Sequence, residues 1–290
     1  MLLEHWKNKG YHTEVLHRDI FIIDTGGNKP VLAILHGYPT SSFDYYKVLD
    51  ILAQDYRVIL HDHLGFGFSD KPTNYSYSLI EQTDVAIALW KQLGIAHLSV
   101  LAHDYGTSIA TELLARKEQA SLPFTMTKLI LCNGSMHIEL AKLRPIQKLL
   151  KNKHLGPWVA KLGTKALFSR NLKQIYYDPV QLTQEEIDVL WEIITYKNGR
   201  AALPRLSNYI NERYFFWHRW IGALRSTDTP IGVVWAKNDP IAVMAIAEQL
   251  RSEIKNCEWY LISETGHFPM LENPKIWVNQ VKSALKNDKI

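Results

Sequence analysis

The chain has 290 residues, of which 47% are hydrophobic and 21% are charged, and its formal net charge is +4. This length allows one large domain, or a domain with an inserted subdomain, and the composition is ordinary for a soluble globular protein. Lysine and arginine are scattered, apart from a modest concentration between Lys142 and Lys173. A nucleic-acid-binding protein would show a basic stripe or a known motif, and neither is visible, so we expect no nucleic-acid partner.

The cysteines and the N-terminal residues bear on the compartment. Two cysteines, Cys132 and Cys257, with no apparent signal peptide do not form a disulfide framework. Residues 1–10 include Glu4 and Lys7, so they cannot form the apolar core of a signal peptide. No apolar stretch approaches the roughly 18–20 residues that span a bilayer. We therefore expect a cytoplasmic protein without a membrane span.

Short apolar runs alternate with amphipathic segments through the first half of the chain. The runs typical of buried strands are residues 31–35, 58–60, 99–101 and 128–131. Helical patterns are residues 43–52, residues 79–93 and a segment that begins near residue 105. Strand and helix in alternation predict a parallel sheet that is covered on both faces.

The pattern changes between residues 136 and 225. No convincing strand occurs there, while aromatic residues and helical periodicity accumulate. The alternation then resumes, with predicted strands at 231–235 and 258–262 and a closing helix at 274–285. A helical insertion between two halves of a parallel sheet indicates a cap over a site at the carboxyl ends of the strands. We predict a core of residues 1–135 and 226–290 and a helical cap of residues 136–225.

A first candidate motif, His36-Gly37-Tyr38-Pro39, directly follows the predicted strand 31–35. Glycine permits a close approach of backbone segments, and the following N–H can point into a cleft as an oxyanion donor. By itself this motif is more typical of a turn than of catalysis, and His36 is also consistent with a structural histidine. In a later glycine-rich loop, residues 61–63 read His-Asp-His, but neighbouring positions leaving a strand point in different directions, so no metal site is expected.

The segment Ala102-His103-Asp104-Tyr105-Gly106 lies between a predicted strand and a predicted helix. A small residue, a nucleophile and a second small residue at this spacing are typical of a nucleophile elbow, because the sharp turn crowds its neighbours. The central residue is Asp104, and no Gly-x-Ser-x-Gly motif occurs in the chain. An aspartate here is equally typical of a helix N-cap, so this motif alone leaves both interpretations open.

Two further candidates follow later strands in the required order. Asp239 comes after the strand 231–235, and His267 comes after the strand 258–262. Nucleophile, acid and histidine is the chain order of an α/β-hydrolase triad. Asn133 occupies the alternative position for the acid, but an amide cannot be the anionic partner. The pattern therefore predicts Asp104, Asp239 and His267 as a catalytic triad.

These motifs resemble the α/β-hydrolase superfamily from about residue 15 to the C-terminus. The elbow HDYG at 103–106 is similar to that of the epoxide hydrolase and haloalkane dehalogenase branch. The resemblance implies the α/β-hydrolase fold, with a mostly parallel central sheet, helices on both faces and an inserted helical cap. The chain also resembles the mesoderm-specific transcript group and its bacterial relatives in HGYPTSSFDYYKVL at 36–49, LGFGFSDKP at 64–72, YINER at 209–213 and RWIGAL at 219–224.

An aspartate nucleophile implies a particular chemistry. A carboxylate is already ionised near neutral pH, so Asp104 can attack an sp³ carbon and form an alkyl ester. His267 would then activate a water against that ester, while Asp239 orients the imidazole. The backbone N–H groups of Tyr38 and Tyr105 are the candidate oxyanion donors. Attack on an ordinary ester would give an anhydride, which disfavours an esterase.

The leaving group is the next question. The resemblance implies that dehalogenases carry asparagine where Tyr38 stands and tryptophan where Tyr105 stands, and their side chains hold the halide. Opening an epoxide instead requires an acid, and the resemblance implies a tyrosine of the cap. The candidates in the predicted cap are Tyr176, Tyr177, Tyr196, Tyr209 and Tyr214.

The sequence thus favours an epoxide hydrolase-like enzyme that uses water on a small apolar substrate, without a cofactor or metal. One alternative is a haloalkane dehalogenase-like enzyme or another hydrolase of C–O or C–X bonds. A second alternative, of a different class, is a binding protein that retains the fold without catalysis. An aromatic-rich cap would supply an apolar pocket in each case.

Overall fold

Eight strands form a single sheet in the part of the chain that the computed structural model describes, residues 2–255 and 257–286. They are β1 (Tyr11–Val15), β2 (Arg18–Asp24), β3 (Val31–Leu35), β4 (Arg57–His61), β5 (His97–His103), β6 (Thr125–Cys132), β7 (Ile231–Ala236) and β8 (Glu258–Ile262). Their order across the sheet is β1-β2-β4-β3-β5-β6-β7-β8. Strands β3 to β8 pair in parallel, whereas β2 pairs antiparallel with both β1 and β4.

The helices lie between the strands and on both faces of the sheet. In chain order they are α1 (Leu2–Lys7), α2 (Leu49–Leu52), α3 (Leu79–Gln92), α4 (Tyr105–Glu118), α5 (Pro145–Leu150), α6 (Gly156–Leu162), α7 (Lys165–Lys173), α8 (Gln184–Thr195), α9 (Leu203–Leu206), α10 (Tyr209–Phe215), α11 (Trp217–Ser226), α12 (Met244–Glu253), α13 (Pro269–Glu272) and α14 (Pro274–Lys286). The prediction of the α/β-hydrolase fold is confirmed by this arrangement.

The alternation of side chains along each strand divides the hydrophobic core into two layers. In β3, Ala33 and Leu35 face the layer that includes α3, α4 and α11, while Leu32 and Ile34 face the layer that includes α1 and α14. All four of these side chains are fully buried. A strand covered on both faces reads as a continuous apolar run, which explains why the central strands are visible in the sequence.

Two parts of the N-terminal region differ from the prediction. The hairpin of β1 and β2 was not predicted, because β1 is largely exposed and β2 begins with charged residues. The predicted helix 43–52 is instead a 3-10 turn at Ser42–Tyr45 followed by the short helix α2. Here the Ser42 N–H donates to Asp62 Oδ1 at 2.8 Å, and this tertiary contact competes with a continuous helix.

The long connection between β6 and β7 contains α5 to α11 and has no strand among its described residues. We call residues 136–225 of this connection the helical insertion. Its last helix, α11, packs along α4, where Glu112 accepts hydrogen bonds from Arg219 and Trp220. Helices α5 to α9 contribute most of the side chains around the main cavity.

The sheet has a topological switch point beside β3. The chain passes from β3 outward to β4 on one side and then to β5 on the other side. In open α/β sheets, the crevice at the carboxyl ends of such strands is the usual binding position. No helix within residues 2–255 and 257–286 is long and apolar enough to cross a membrane.

Candidate active site

Asp104 occupies a strained turn between β5 and α4. Its backbone angles are φ 42° and ψ −105°, a combination that costs on the order of 1–3 kcal/mol for a residue with a side chain. The Gly106 N–H donates to the carbonyl of His36 at 3.0 Å. A Cβ on Gly106 would lie 2.4 Å from the Leu35 carbonyl oxygen, so this position requires glycine. The elbow geometry predicted from small flanking residues is therefore present.

The Asp104 carboxylate is buried, with 3% of the residue exposed. Its Oδ2 accepts a hydrogen bond from the Tyr38 N–H at 2.9 Å. The Nε2 atom of His267 lies 4.0 Å from the same oxygen. The close approach of the Tyr38 loop requires Gly37, since a Cβ there would lie 2.8 Å from His103 Nδ1.

Asp239 and His267 form the second half of the constellation. The His267 Nδ1–H donates to Asp239 Oδ2 at 2.7 Å. The other oxygen, Asp239 Oδ1, accepts the N–H groups of Ile241 and Ala242 at 2.7 and 3.0 Å. These bonds fix the carboxylate, and the carboxylate fixes the tautomer and orientation of the imidazole.

Asn133 is a residue whose contribution sequence reasoning missed. It follows β6 with a positive φ of 43°, and its Nδ2 donates to Asp239 Oδ2 at 2.9 Å. The side chain also bonds the backbone of Ala236 through both its oxygen and its nitrogen. Asn133, which occupies the alternative position for the acid, therefore holds Asp239 in place.

The charges around His267 determine its protonation. Burial by itself lowers the pKa of His267, but the charge of Asp239, the hydrogen bond to it and the charge of Asp104 outweigh burial and raise the pKa to about 9. Near neutral pH the imidazole of His267 is therefore protonated. Its Nε2 then carries a proton that faces Asp104.

The loop that carries His267 is tied to the helical insertion. The His267 N–H donates to the Ile175 carbonyl at 2.8 Å. Glu272 accepts the N–H groups of Gly266 and Tyr177 at 3.0 and 2.8 Å. A movement of the segment around Ile175 is thereby coupled to the position of the imidazole.

His36 lies near Asp104 in a chain of three buried histidines, the others being His61 and His63. Its Nε2 accepts the His63 N–H at 3.0 Å, its Nδ1–H donates to the Gly37 carbonyl, and His63 Nδ1 lies 3.1 Å from His61 Nε2. Burial lowers the pKa of His36 and of His61 to about 3, and lowers that of His63 well below its usual value. His36 is thus a neutral structural residue that supports the Tyr38 loop, one of the two roles considered from the sequence.

Arg213 brings a buried positive charge to the elbow from α10. Its Nη2 donates to the Asp104 carbonyl oxygen at 2.8 Å and lies 3.8 Å from Asp104 Oδ1. Its Nε donates to Ser108 Oγ at 2.8 Å, and its guanidinium lies 4.6 Å from the centre of the Tyr209 ring. The YINER segment marked this residue in the sequence, but its spacing gave no indication of a contact with Asp104.

A cavity of about 140 Å³ contains Asp104, His267 and the ring of Tyr38. A dry cavity of about 150 Å³ holds a benzene molecule in another protein, so this one suits a small substrate. Polar lining is sparse and includes Arg144, Gln147 and Asn171. Most of the lining is apolar and includes Leu150, Val159, Leu172, Ile194, Leu203 and Ile241.

The positions of the tyrosines in the helical insertion do not fit the prediction that one of them is the acid for epoxide opening. No tyrosine of the helical insertion is among the described residues that line this cavity. Tyr177 and Tyr214 are exposed, and the Tyr209 hydroxyl accepts a hydrogen bond from Gln147 Nε2 at 3.1 Å. The Tyr105 ring packs against Phe66 in the core, so only its backbone N–H, at the start of α4, can face Asp104.

Metal chemistry has no evident site in the described residues. No group of three or more histidine, cysteine, aspartate or glutamate side chains there is arranged to hold a metal ion. Asp62, which follows β4, instead accepts the N–H groups of Ser42 and Phe68 at 2.8 and 2.7 Å. Its carboxylate therefore closes a loop.

This combination of fold and site defines an α/β-hydrolase. A model of the alpha/beta hydrolase fold family matches residues 30–155 and 142–274, so the chain belongs to this family. It is 36% identical over 280 residues to LipZ of Mycobacterium tuberculosis, covering 97% of this chain and 96% of that protein. It is 34% identical over 287 residues to the mesoderm-specific transcript protein of Mus musculus, covering 96% and 86%. The resemblance to that group is confirmed.

Solved structures of two enzyme classes share the fold. The haloalkane dehalogenase DbeA from Bradyrhizobium elkani USDA94 aligns with a TM-score of 0.79 at 21% identity, covering 95% of this chain and 97% of that chain. The epoxide hydrolase CorEH aligns with a TM-score of 0.76 at 17% identity, covering 95% and 98%. At these identities the likeness concerns the fold, and the chemistry has to be argued from the site.

Proposed function

We propose that the chain is a hydrolase in which Asp104 attacks a small apolar epoxide and forms an alkyl-enzyme ester. The observation that carries this proposal is the placement of the Asp104 carboxylate and the protonated His267 in one apolar cavity. The Tyr38 N–H holds one carboxylate oxygen, which leaves the other free to approach carbon. We also propose that the helical insertion is the cap that excludes bulk water from this cavity.

The first step transfers one proton and forms one bond. An oxygen of Asp104 bonds to an epoxide carbon, the C–O bond of the ring breaks, and the alkoxide takes the Nε2 proton of His267. The raised pKa of His267 provides that proton at neutral pH. This assignment replaces the expectation of a tyrosine acid, because no tyrosine of the insertion lines the cavity among the described residues.

The second step uses the same histidine as a base. Once Asp104 is an ester it has lost its charge, and one cause of the high pKa of His267 is removed. A water molecule gives a proton to His267 Nε2 and attacks the Asp104 carbonyl carbon, while the Tyr38 N–H stabilises the oxyanion. The acyl C–O bond then breaks, the diol leaves with the proton from His267, and the new Asp104 carboxyl group reprotonates the histidine.

A halide leaving group fits the site less well. A halide departs without a proton, so His267 would first have to lose its proton by another route before it could activate water. The tyrosines at positions 38 and 105 also lack the side-chain N–H donors that the family resemblance implies for halide binding. Haloalkane dehalogenation is therefore the second candidate, and the fold likeness to DbeA is the observation that favours it.

The test is a panel of styrene-type epoxides and short haloalkanes, with diol or halide release as the readout. Wild type should release diol, and Asp104→Asn should release none. His267→Gln should form an adduct slowly and retain it, as seen by protein mass. Asp50→Asn is the matched control, because the Asp50 carboxylate is exposed, pairs with Lys9 and is not part of the candidate active site.

The route of oxygen gives an independent check. A single turnover in ¹⁸O-water should place the label in Asp104 and leave the first diol unlabelled, since water attacks the carbonyl of the ester. The label in the diol would indicate direct attack by water and would contradict an aspartate nucleophile. Equal inertness of wild type and both variants, without an adduct, would leave the binding-protein alternative as the better account.

A further inference from the structure

Three of the helices that surround the cavity, α5, α6 and α7, carry an unbalanced positive charge. No acidic residue occurs between Glu139 and Asp178, whereas nine lysine and arginine residues lie in this segment, which covers α5, α6 and α7. The whole chain has a net charge of only +4, so the excess is local. Within the described residues, only Lys165 of these lysines pairs with an acidic side chain, Asp188 at 2.5 Å.

Exposed apolar side chains lie among these lysines. Leu155, Trp158 and Leu162 have 50%, 63% and 71% of their surfaces exposed. Leu155 immediately precedes α6, and the spacing of three and four residues places it on the same face as Trp158 and Leu162. Leu149 in α5 and Leu167 in α7 are also exposed, at 42% and 43%. Isolated exposed leucines are common, but five exposed apolar side chains between Leu149 and Leu167 are not typical of a solvated surface.

The opposite face of α6 belongs to the cavity. Val159 and Ala160 line it, and so does Gly163 directly after the helix. Two lining residues at the junction of α6 and α7, Thr164 and Leu167, are exposed, so the cavity approaches the surface there. One helix therefore presents an apolar stripe to solvent and walls the candidate active site on its other side.

A surface on which lysine and arginine flank exposed tryptophan and leucine is typical of proteins that bind an anionic bilayer. Lysine side chains reach the phosphate groups, while tryptophan and leucine enter the boundary between headgroups and acyl chains. Lys161 illustrates the arrangement, because its Nζ lies 5.9 Å from the centre of the Trp158 ring. A soluble polyanion would use the lysines, but it would gain little from Leu155 and Leu162.

We propose that the face formed by α5, α6 and α7 docks the protein on a membrane that contains anionic lipids. Trp158 and Leu162 enter the interface, and Lys153 and Lys161 contact the headgroups. The docked orientation turns the exposed end of the cavity near Thr164 toward the bilayer. The docking surface is independent of the chemistry, whereas delivery of an apolar substrate from the membrane rests on the proposed function.

Flotation of the full chain with phosphatidylcholine vesicles, with and without phosphatidylglycerol, tests the proposal. Wild type should bind the anionic vesicles, and binding should fall as salt rises, because the headgroup charge is screened. Combining Trp158→Ser with Leu162→Ser should lower the partition coefficient by roughly tenfold or more. Combining Lys153→Glu with Lys161→Glu should lower it at least as much.

Two exposed residues outside the segment supply matched controls. Leu16→Ser removes an exposed leucine and Lys91→Glu reverses an exposed lysine, and neither should change binding. Thermal unfolding establishes that each variant folds. Asp104→Asn should bind vesicles like wild type, so docking is measured separately from turnover.

Three results would overturn the docking surface. The first is the absence of binding to anionic vesicles at low salt. The second is binding that the α6 variants and the two controls weaken equally. The third is binding to heparin that is as tight as binding to vesicles and insensitive to Trp158→Ser, which would identify a site for soluble polyanions instead.

Discussion

Mild acid should destabilise the fold through its buried neutral histidines. His36, His61 and His103 are fully buried, and burial lowers their pKa values to about 3, 3 and 4. The hydrogen bonds of His36 to Gly37 and to the His63 N–H leave no place on its ring for a second proton. When the chain unfolds, these rings regain an ordinary pKa and take up protons below about pH 6.5.

The sign and size of the effect follow from proton linkage. A folded pKa below the unfolded value contributes stability that is present above about pH 6.5 and is lost as the pH falls toward the folded pKa. At 1.36 kcal/mol per pKa unit, each of the three histidines costs about 2 kcal/mol between pH 7 and pH 5, or about 6 kcal/mol together. This is a large share of the roughly 5–15 kcal/mol that stabilises a folded domain.

His267 acts in the opposite direction. Its folded pKa of about 9 lies above the unfolded value, so its contribution is complete below about pH 6.5 and is lost as the pH rises through 9. Between pH 7 and pH 5 the stabilising contribution of His267 increases by less than about 1 kcal/mol, because His267 in the folded state is already protonated at both pH values. The sum for these four histidines is therefore a loss of about 5 kcal/mol, and Glu212 opposes it because burial raises the pKa of that carboxyl to about 7.

Urea unfolding at several pH values between 5 and 8 measures this loss directly. His61→Gln should reduce the difference between pH 7 and pH 5 by about 2 kcal/mol, since the amide keeps a donor toward His63 but cannot titrate. His17→Gln should change nothing, because the His17 side chain is 96% exposed. An equal effect of the two substitutions on the difference between pH 7 and pH 5 would refute the reasoning.

Three further substitutions test the site. Asn133→Ala should slow turnover by roughly tenfold to 100-fold, because the charged oxygen of Asp239 loses a hydrogen bond. The rate at which the alkyl-enzyme adduct disappears, measured by protein mass, checks this prediction. Gly37→Ala should lower kcat, because the added Cβ displaces the loop that carries the Tyr38 N–H. Gly222→Ala is the control and should leave kcat unchanged, because its Cβ meets no atom of the described residues within 4 Å. Arg213→Met should cost about 3 kcal/mol in urea unfolding, because a buried charge partner is removed.

The central strands could be predicted because the signal of each strand is local, and the proximity of Asp104, Asp239 and His267 could be predicted from their positions directly after parallel strands. A strand buried on both faces reads as an apolar run, and the strand order places the residues after β5, β7 and β8 at one edge. The chain order of Asp104, Asp239 and His267 then sufficed to predict that they meet. The exposed strand β1 gave no such signal, since its burial is confined to Val15.

Contacts between distant segments could not be predicted in the same way. Arg213 reaches the Asp104 carbonyl across 109 positions of sequence, and no periodicity encodes which face of α10 meets the elbow. The tyrosines of the helical insertion are a second example of this limit. Residue type suggested an acid in the insertion, but which tyrosine faces the cavity depends on helix rotation and packing, and these placed Tyr209 against Tyr38 and Tyr105 instead.

The charges near Asp104 supply a physical argument for the epoxide that we propose as the substrate. Among the four groups around the reacting atoms, the formal charges of Asp104 and Asp239 are negative and those of Arg213 and the protonated His267 are positive, so these four charges sum to zero. If the leaving oxygen takes the proton of His267 while Asp104 becomes an ester, one charge of each sign disappears and the sum stays zero. A departing halide would remove only the negative charge and leave an uncompensated cation in a water-poor site, which is costly. The site is therefore balanced for a leaving group that accepts a proton.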